Sequence, residues 1–274
     1  MNTPETIDWF VTSKCNLKCD FCYGPYPEIE NRKIIKDIAY KISESNVANV
    51  TLCGGEPFVN PDIFEIIDIL IDNGKNVYVS SNGHFPIKIL RVLDKLSGVS
   101  ISLDSYDKKN FEKIRGNLSD FDKVIESIKI ISSENPNKLK ITTVLSSLNI
   151  NSMVDIGNFI LEYNPKIWRI LKFVPRMKGS LNRGIYEISD NDFSKSIDEL
   201  NLFFSDLKIY ASKEEEINSC FLIDHRGNII LPRNDIYDIV GNCFNKSIEE
   251  CWEKYWKSKK IHYRNKIWMS EIKK

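Results

Sequence analysis

No apolar run in the 274 residues comes near the ~18–20 that cross a bilayer, so no membrane partner is expected. A charge of one sign is missing as well: 38 Lys and Arg balance 38 Asp and Glu. A dedicated nucleic-acid binder would show a clear basic excess, so no nucleic-acid partner is expected either. Histidine is scarce and scattered, at His84, His225 and His262. With no second C-x2-C or H-x3-H pair, the usual fourth ligand of a zinc site is absent. The N-terminal Met1-Asn2-Thr3-Pro4-Glu5 lacks the basic and apolar regions of a secretory signal, which predicts a cytoplasmic protein. No repeat of fixed period and no low-complexity stretch occurs.

What is present is a composition of 42% hydrophobic and 28% charged residues, enough for a sizeable core and against wholesale disorder. Seven cysteines is an odd number, and three of them crowd into eight residues. Reduced thiols or metal ligands fit this better than a secreted disulfide framework. Short β-branched runs alternate with segments of helical period. Strands are predicted at 7–12, 47–52, 76–80, 99–103, 140–145 and 168–174. Helices are predicted at 34–42, 63–71, 87–96, 121–131, 153–163 and 190–204, the last capped by Ser189 or Asp190. Six βα units imply a parallel sheet, either an open doubly wound sheet or a partial barrel, with the chemistry at the C-terminal strand ends. After about residue 206 the pattern changes to a β-hairpin around His225-Arg226-Gly227-Asn228 and a helix over 247–257. The tail from Lys259 to Lys274 is basic and aromatic. The expected division is a core over 1–205 and a C-terminal extension over 206–274 that caps it.

Cys15, Cys19 and Cys22 form C-x3-C-x2-C directly after the first strand. Three thiolates on one loop can converge on a small inorganic body. Zinc would want a fourth ligand, and a simple iron–sulfur carrier four cysteines. Three leave one iron open, which suits a catalytic cluster. The run Cys15-Asn16-Leu17-Lys18-Cys19-Asp20-Phe21-Cys22 resembles the cluster motif of the radical S-adenosylmethionine (radical SAM) superfamily. That resemblance implies a [4Fe–4S] cluster on Cys15, Cys19 and Cys22 whose open iron chelates S-adenosylmethionine, with Phe21 beside the adenine. It also implies a fold, a partial (βα)6 TIM-like barrel with a short C-terminal β-hairpin plus helix extension. Gly54-Gly55-Glu56-Pro57 follows the second strand and resembles the family's loop for the methionine amino group. Its glycines let backbone approach a ligand. Cys53 reads as a strand residue. Ser80-Ser81-Asn82-Gly83 ends the third strand and resembles the ribose-facing segment, with Ser81 and Asn82 as its candidates.

Later segments resemble viperin and its prokaryotic relatives, which dehydrate nucleoside triphosphates to 3′-deoxy-3′,4′-didehydro nucleotides. The carriers are Ile101-Ser102-Leu103-Asp104-Ser105 and Ile114-Arg115-Gly116, which imply cofactor contacts for Ser102 and Arg115. Also similar are Lys140-Ile141-Thr142-Thr143-Val144, Trp168-Arg169 and Ile188-Ser189-Asp190-Asn191-Asp192-Phe193. Lys140, Arg169, Lys172 and Arg176 become substrate-binding candidates, with Lys178 and Arg183 in the same basic run. By strand alternation Lys172 faces opposite to Arg169 and Phe173, so not all can face inward. The chain departs from viperins in having Lys172 where a glutamine is usual. Asp224–Asn228 holds no tyrosine to return hydrogen, and the N-terminal amphipathic helix of animal viperins is missing. The implied reaction takes the ribose 4′-hydrogen through a 5′-deoxyadenosyl radical. It needs an external one-electron reductant of flavodoxin or ferredoxin type. The alternative is a radical enzyme acting on a peptide or small metabolite, with Cys220, Cys243 and Cys251 as a degenerate auxiliary region. A non-catalytic iron–sulfur protein binding S-adenosylmethionine is the third reading.

Overall fold

The computed structural model describes residues 4, 6–24, 28–213 and 221–255. Two compact units interleave along the chain. One holds the residues up to Cys15, those after the cysteine loop as far as Val79, and those from Phe221 onward. The other holds Asn16–Gly24 and the residues from Ser80 to Lys213.

In the first unit, β1 (Thr6–Thr12), β2 (Asn49–Gly54) and β3 (Asn76–Ser81) pair in parallel. The last two residues of β3 group with the second unit. On its other edge β1 pairs in parallel with β8 (Phe221–Ile223). That strand turns back into β9 (Asn228–Arg233) and β10 (Ile236–Asn242), both antiparallel. The expected hairpin is therefore present and carries a third strand. Two crossover helices join the parallel strands: α1 (Arg32–Glu44) and α2 (Ile63–Asp72). Asn31 caps α1 by accepting from the Lys33 and Ile34 amides, and Ile35, Ile38, Ala39 and Ile42 form the stripe that buries it. The C-terminal α10 (Ile248–Tyr255) is held by an edge-on contact of Trp252 with Phe221.

The second unit has four parallel strands in order: β4 (Gly98–Ser102), β5 (Leu139–Leu145), β6 (Ile167–Lys172) and β7 (Ile209–Ser212). Its helices are α3 (Pro86–Leu93), α4 (Lys108–Arg115), α5 (Phe121–Glu134) and α6 (Met153–Leu161), followed by two single turns, α7 (Lys178–Leu181) and α8 (Arg183–Tyr186), and by α9 (Asp190–Phe203). Ser189 caps α9, as predicted, by accepting from the Asp192 amide. Trp168 meets Phe204 edge-on and donates its indole N–H to Thr143 Oγ1, which marks the helix-covered face of β5 and β6.

The six predicted strands and six core helices are all present, with ends shifted by a few residues. Sequence period misses α4, β7 and β10. Helix α4 buries only Phe111, Ile114 and Arg115, too narrow a stripe to read; Asp107 at its start and Gly116 at its end define it instead. Strands β7 and β10 are half-buried and alternate weakly. Cys220, Lys257 and the tail from Lys259 lie outside the described residues. No described helix is long and apolar enough to cross a membrane.

Candidate active site

All four motifs leave the C-terminal end of a strand. Cys15 follows β1, Gly54 ends β2, Ser81 ends β3 and Ser102 ends β4.

In the first unit, the β1–β2 ladder runs in register from Thr6 and Asn49 to Phe10 and Cys53, then slips between Phe10 and Thr12. The slip leaves the Val11 carbonyl to the Asn60 side-chain amide at 3.1 Å. Beyond it the glycine loop hangs on the chain before Cys15. The Gly55 amide donates to the Thr12 carbonyl and the Glu56 amide to the Lys14 carbonyl, both at 2.8 Å. A Cβ on Gly55 would lie 2.1 Å from the Lys14 oxygen, so only glycine permits this approach. Glu56 is fully buried, and its Oε1 accepts from the Phe58 amide at 3.2 Å, capping a 3-10 turn over Pro57–Val59. A buried carboxylate is the kind of acceptor an ammonium group needs. Cys53 packs against the cluster of Phe10, Leu222 and Ile230, a strand residue as expected.

In the second unit, the loop bearing Cys19 and Cys22 is pinned by aromatic packing. Phe21 is enclosed with Ile114, Phe173 and Tyr186, its ring 5.5 Å from that of Tyr186. The ring thus anchors the loop. The Arg115 guanidinium lies 5.6 Å from the centroids of both Phe21 and Phe111. Its Nε donates to Asp104 Oδ2 at 2.7 Å and its Nη2 lies at the same distance from that oxygen as an ion pair, while Asp104 Oδ1 accepts from the Val144 amide at 2.8 Å. Burial pushes the Cys22 thiol up, against a 3.3 Å bond from the Gly24 amide and the charges of Arg115 and Lys178, which favour thiolate. Asn82 donates to Asn16 Oδ1 at 2.9 Å and accepts from the His84 amide, and Ser81 Oγ accepts from the Gly83 amide at 3.0 Å. Ser102 stands half-buried at the end of β4.

The substrate candidates separate. Lys172 faces the helices and pairs with Asp190 at 2.6 Å. Lys178, from the same basic run, pairs with Asp20 at 2.8 Å and donates to the Lys18 carbonyl at 2.6 Å. Arg169 takes the opposite face of β6, in register with Thr142, whose hydroxyl meets Ser100 Oγ at 2.7 Å. Lys140 shares that face but sits near the N-terminal end of β5, buried. The Arg169 Nε is buried with no hydrogen-bond partner among the described residues. Arg176 is 1% exposed, just past β6. Asp104, Glu30 and Gly179 have structural work at the site that sequence reading missed, because their partners are far along the chain and follow no period.

The donor set fits a cluster. Among the described residues no three His, Cys, Asp or Glu side chains converge on one metal ion. Three thiolates with no histidine beside them in the motif are the donor set of a four-iron cluster with one iron left open, where zinc would want a fourth ligand. Cys243 and Cys251 are buried, and burial pushes the Cys243 thiol up to about 12.

Parallel βα units with a cysteine triplet and a glycine–glutamate loop on adjacent strand ends define a radical-type iron–sulfur enzyme. The family model of the radical SAM superfamily matches residues 9–160, and the chain belongs to that superfamily. Its cofactors are therefore a [4Fe–4S] cluster and S-adenosylmethionine. An S-adenosylmethionine-dependent nucleotide dehydratase of Flammeovirga pacifica is 22% identical over 275 aligned positions, covering 92% of this chain and 91% of the relative. A probable GTP 3′,8-cyclase of Methanocaldococcus jannaschii is 28% identical over 200 positions, covering 69% of this chain and 66% of the relative. Among solved structures, Streptococcus suis SuiB bound to S-adenosylmethionine superposes with a TM-score of 0.74 at 16% identity, covering 93% of this chain and 66% of that one. That likeness shows the fold, a TIM-like α/β architecture with a C-terminal antiparallel hairpin.

Proposed function

We propose that this radical SAM enzyme is a nucleotide dehydratase. It takes a nucleoside triphosphate, removes the ribose 4′-hydrogen and, with one further electron from the external donor and a proton, expels the 3′-hydroxyl as water, leaving a 3′-deoxy-3′,4′-didehydro nucleotide. The extent of likeness carries this reading. The alignment with the dehydratase runs through 92% of the chain and 91% of the relative, well beyond residue 160. The alignment with the cyclase leaves about a third of each protein unmatched.

When bound, the reduced cluster and S-adenosylmethionine supply the 5′-deoxyadenosyl radical, using electrons from an external one-electron donor. The chain's own part is to bind, orient and exclude. Cys15, Cys19 and Cys22 hold the cluster. Gly54, Gly55 and Pro57 bring backbone close, and Glu56 receives the methionine ammonium. Ser81, Asn82 and Ser102 line the cofactor's remaining length, while Arg115 fixes the loop through Phe21. Arg169 supplies cationic, forked donors on the face away from the helices, with a buried Nε still lacking a protein acceptor among the described residues. Lys140 and Arg176 add charge behind and beyond it. Lys172 can contribute only by leaving Asp190.

The test is anaerobic. Reconstituted enzyme is given dithionite, S-adenosylmethionine and, separately, CTP, UTP, GTP and ATP, with products weighed by mass spectrometry. One nucleotide should raise 5′-deoxyadenosine well above background and yield a product lighter by one water. Equal slow formation of 5′-deoxyadenosine with all four overturns the nucleotide reading and directs the search to peptides and small metabolites.

A further inference from the structure

The two arms of the site in the first unit share one support that holds neither cofactor. The β1–β2 ladder slips between Phe10 and Thr12 and ends on the pair Thr12 with Gly54, so no β pair fixes the path of Ser13 and Lys14 beyond it. A single side chain takes over. Glu30 Oε1 accepts from Thr12 Oγ1 at 2.7 Å, from the Ser13 amide at 2.5 Å and from Ser13 Oγ at 3.0 Å. Its other oxygen lies 3.8 Å from the Lys14 ammonium. The turn is closed from within, since the Lys14 amide donates to Thr12 Oγ1 at 3.1 Å and the Glu28 amide to Ser13 Oγ at 3.0 Å. The carbonyls of Thr12 and Lys14 are the ones that receive Gly55 and Glu56.

We propose that Glu30 is a positioning residue for S-adenosylmethionine binding: its carboxylate sets the Thr12–Lys14 strut from which both Cys15 and the Gly54–Glu56 loop hang. The proposal rests on the cofactors of the superfamily and stands whether or not the substrate is a nucleotide. An acidic group suits the task because three donors converge on one oxygen, which a charged acceptor holds more firmly than a neutral one. Desolvation works to raise the Glu30 carboxyl, but the Thr12 and Ser13 bonds and the charge of His225 outweigh it and hold it below its ordinary value. The surroundings keep that charge matched. Glu28 engages Arg226 in an ion pair, and His225 Nε2 lies 3.3 Å from Glu28, close in charge terms without the alignment of a hydrogen bond.

The test compares Glu30→Ala, Glu30→Gln and, as a surface control, Glu44→Ala, all reconstituted anaerobically. Iron per chain, circular dichroism, equilibrium affinity for S-adenosylmethionine and the electron paramagnetic resonance of the reduced cluster with and without the cofactor are read. Glu30→Ala should keep its secondary structure. It should bind S-adenosylmethionine about ten-fold more weakly, the scale of a charge-assisted hydrogen bond, or lose iron outright. Its cofactor-induced spectral change should be incomplete where the wild type is saturated. Glu30→Gln keeps an acceptor oxygen and should recover most of the affinity. A folded Glu30→Ala with full iron, wild-type affinity and a complete spectral change overturns the proposal. Should Glu30→Ala not fold, Glu30→Asp takes its place, keeping the charge but drawing the carboxylate back from its three donors. Weaker cofactor binding by that variant upholds the role and unchanged binding overturns it.

Discussion

The backbone amide of Gly179 donates to the carbonyl of Cys22 at 3.1 Å. It is one of four ties from the α7 turn to the cluster loop. Lys178 pairs with Asp20 and donates to the Lys18 carbonyl, and Asn182 donates to the Asp20 carbonyl at 3.0 Å. Lys178 reads in the sequence as part of a basic run for phosphate; in the fold it braces the loop between Cys19 and Cys22.

Gly179→Ala tests that brace. The added Cβ would lie 2.9 Å from the Phe21 carbonyl, and backbone cannot yield as a flexible side chain does. A cost of about 1–3 kcal/mol is expected, with cluster absorption lost faster in air than in wild type. Wild-type iron retention and melting temperature would show that the turn has slack.

Asp104→Asn leaves a buried guanidinium without its counter-charge. Arg115 is 6% exposed and Asp104 wholly buried, so a loss of about 3–5 kcal/mol is expected from denaturant unfolding. Pairing Asp104→Leu with Arg115→Met should return part of it. A loss under about 1 kcal/mol for Asp104→Asn would mean that water reaches the pair.

His84 makes stability fall in mild acid. The Asp120 amide donates to its Nε2 at 2.7 Å, which requires that nitrogen unprotonated, and Nδ1 faces Asn82 Oδ1 at 3.0 Å. Burial sets its pKa below the ordinary value. Between that ordinary value of about 6.5 and the depressed one, only the unfolded chain takes up the proton. Stability present above about pH 6.5 is therefore lost as pH falls through this window. Melting at about pH 7.5 and about pH 5.5 should show a smaller drop for His84→Gln than for wild type, and an equal drop would refute the assignment.

Arg169→Ala should raise the KM for the productive nucleotide about 10–100-fold, the worth of charged hydrogen bonds, with Arg169→Lys between it and wild type. Lys172→Ala breaks a pair whose Asp190 is 72% exposed and should change stability by less than about 1 kcal/mol. Equal effects of the two substitutions on KM would remove the facing argument.

Elements with a wide apolar stripe were legible in the sequence, as were motifs whose residues are neighbours along it. The stripe of Ile35, Ile38, Ala39 and Ile42 declares α1, and the cysteine triplet declares the cofactor. Strand alternation alone also separates Lys172 from Arg169. What stayed hidden depends on distant partners. Asp104 meets Arg115 across 11 residues, Glu30 meets Ser13 across 17, and Lys178 meets Lys18 across 160. None of these spacings is a period of helix or strand, so only the fold exposes them. Phe21 shows the same limit: an aromatic residue in the motif was plain, but its enclosure by Phe173 and Tyr186 was not.

The α7 brace bears on any attempt to retarget the enzyme. The stretch that follows β6 carries Arg176, here proposed to add charge for the substrate, and within three residues grips the cysteine loop through Lys178 and Gly179. A library randomised across residues 175–182, the obvious choice for new specificity, would lose members to oxygen before their selectivity could be measured. Diversity is better seeded inside the strands, at positions such as Thr142 and Leu171, where a changed side chain leaves the iron-bearing loop untouched.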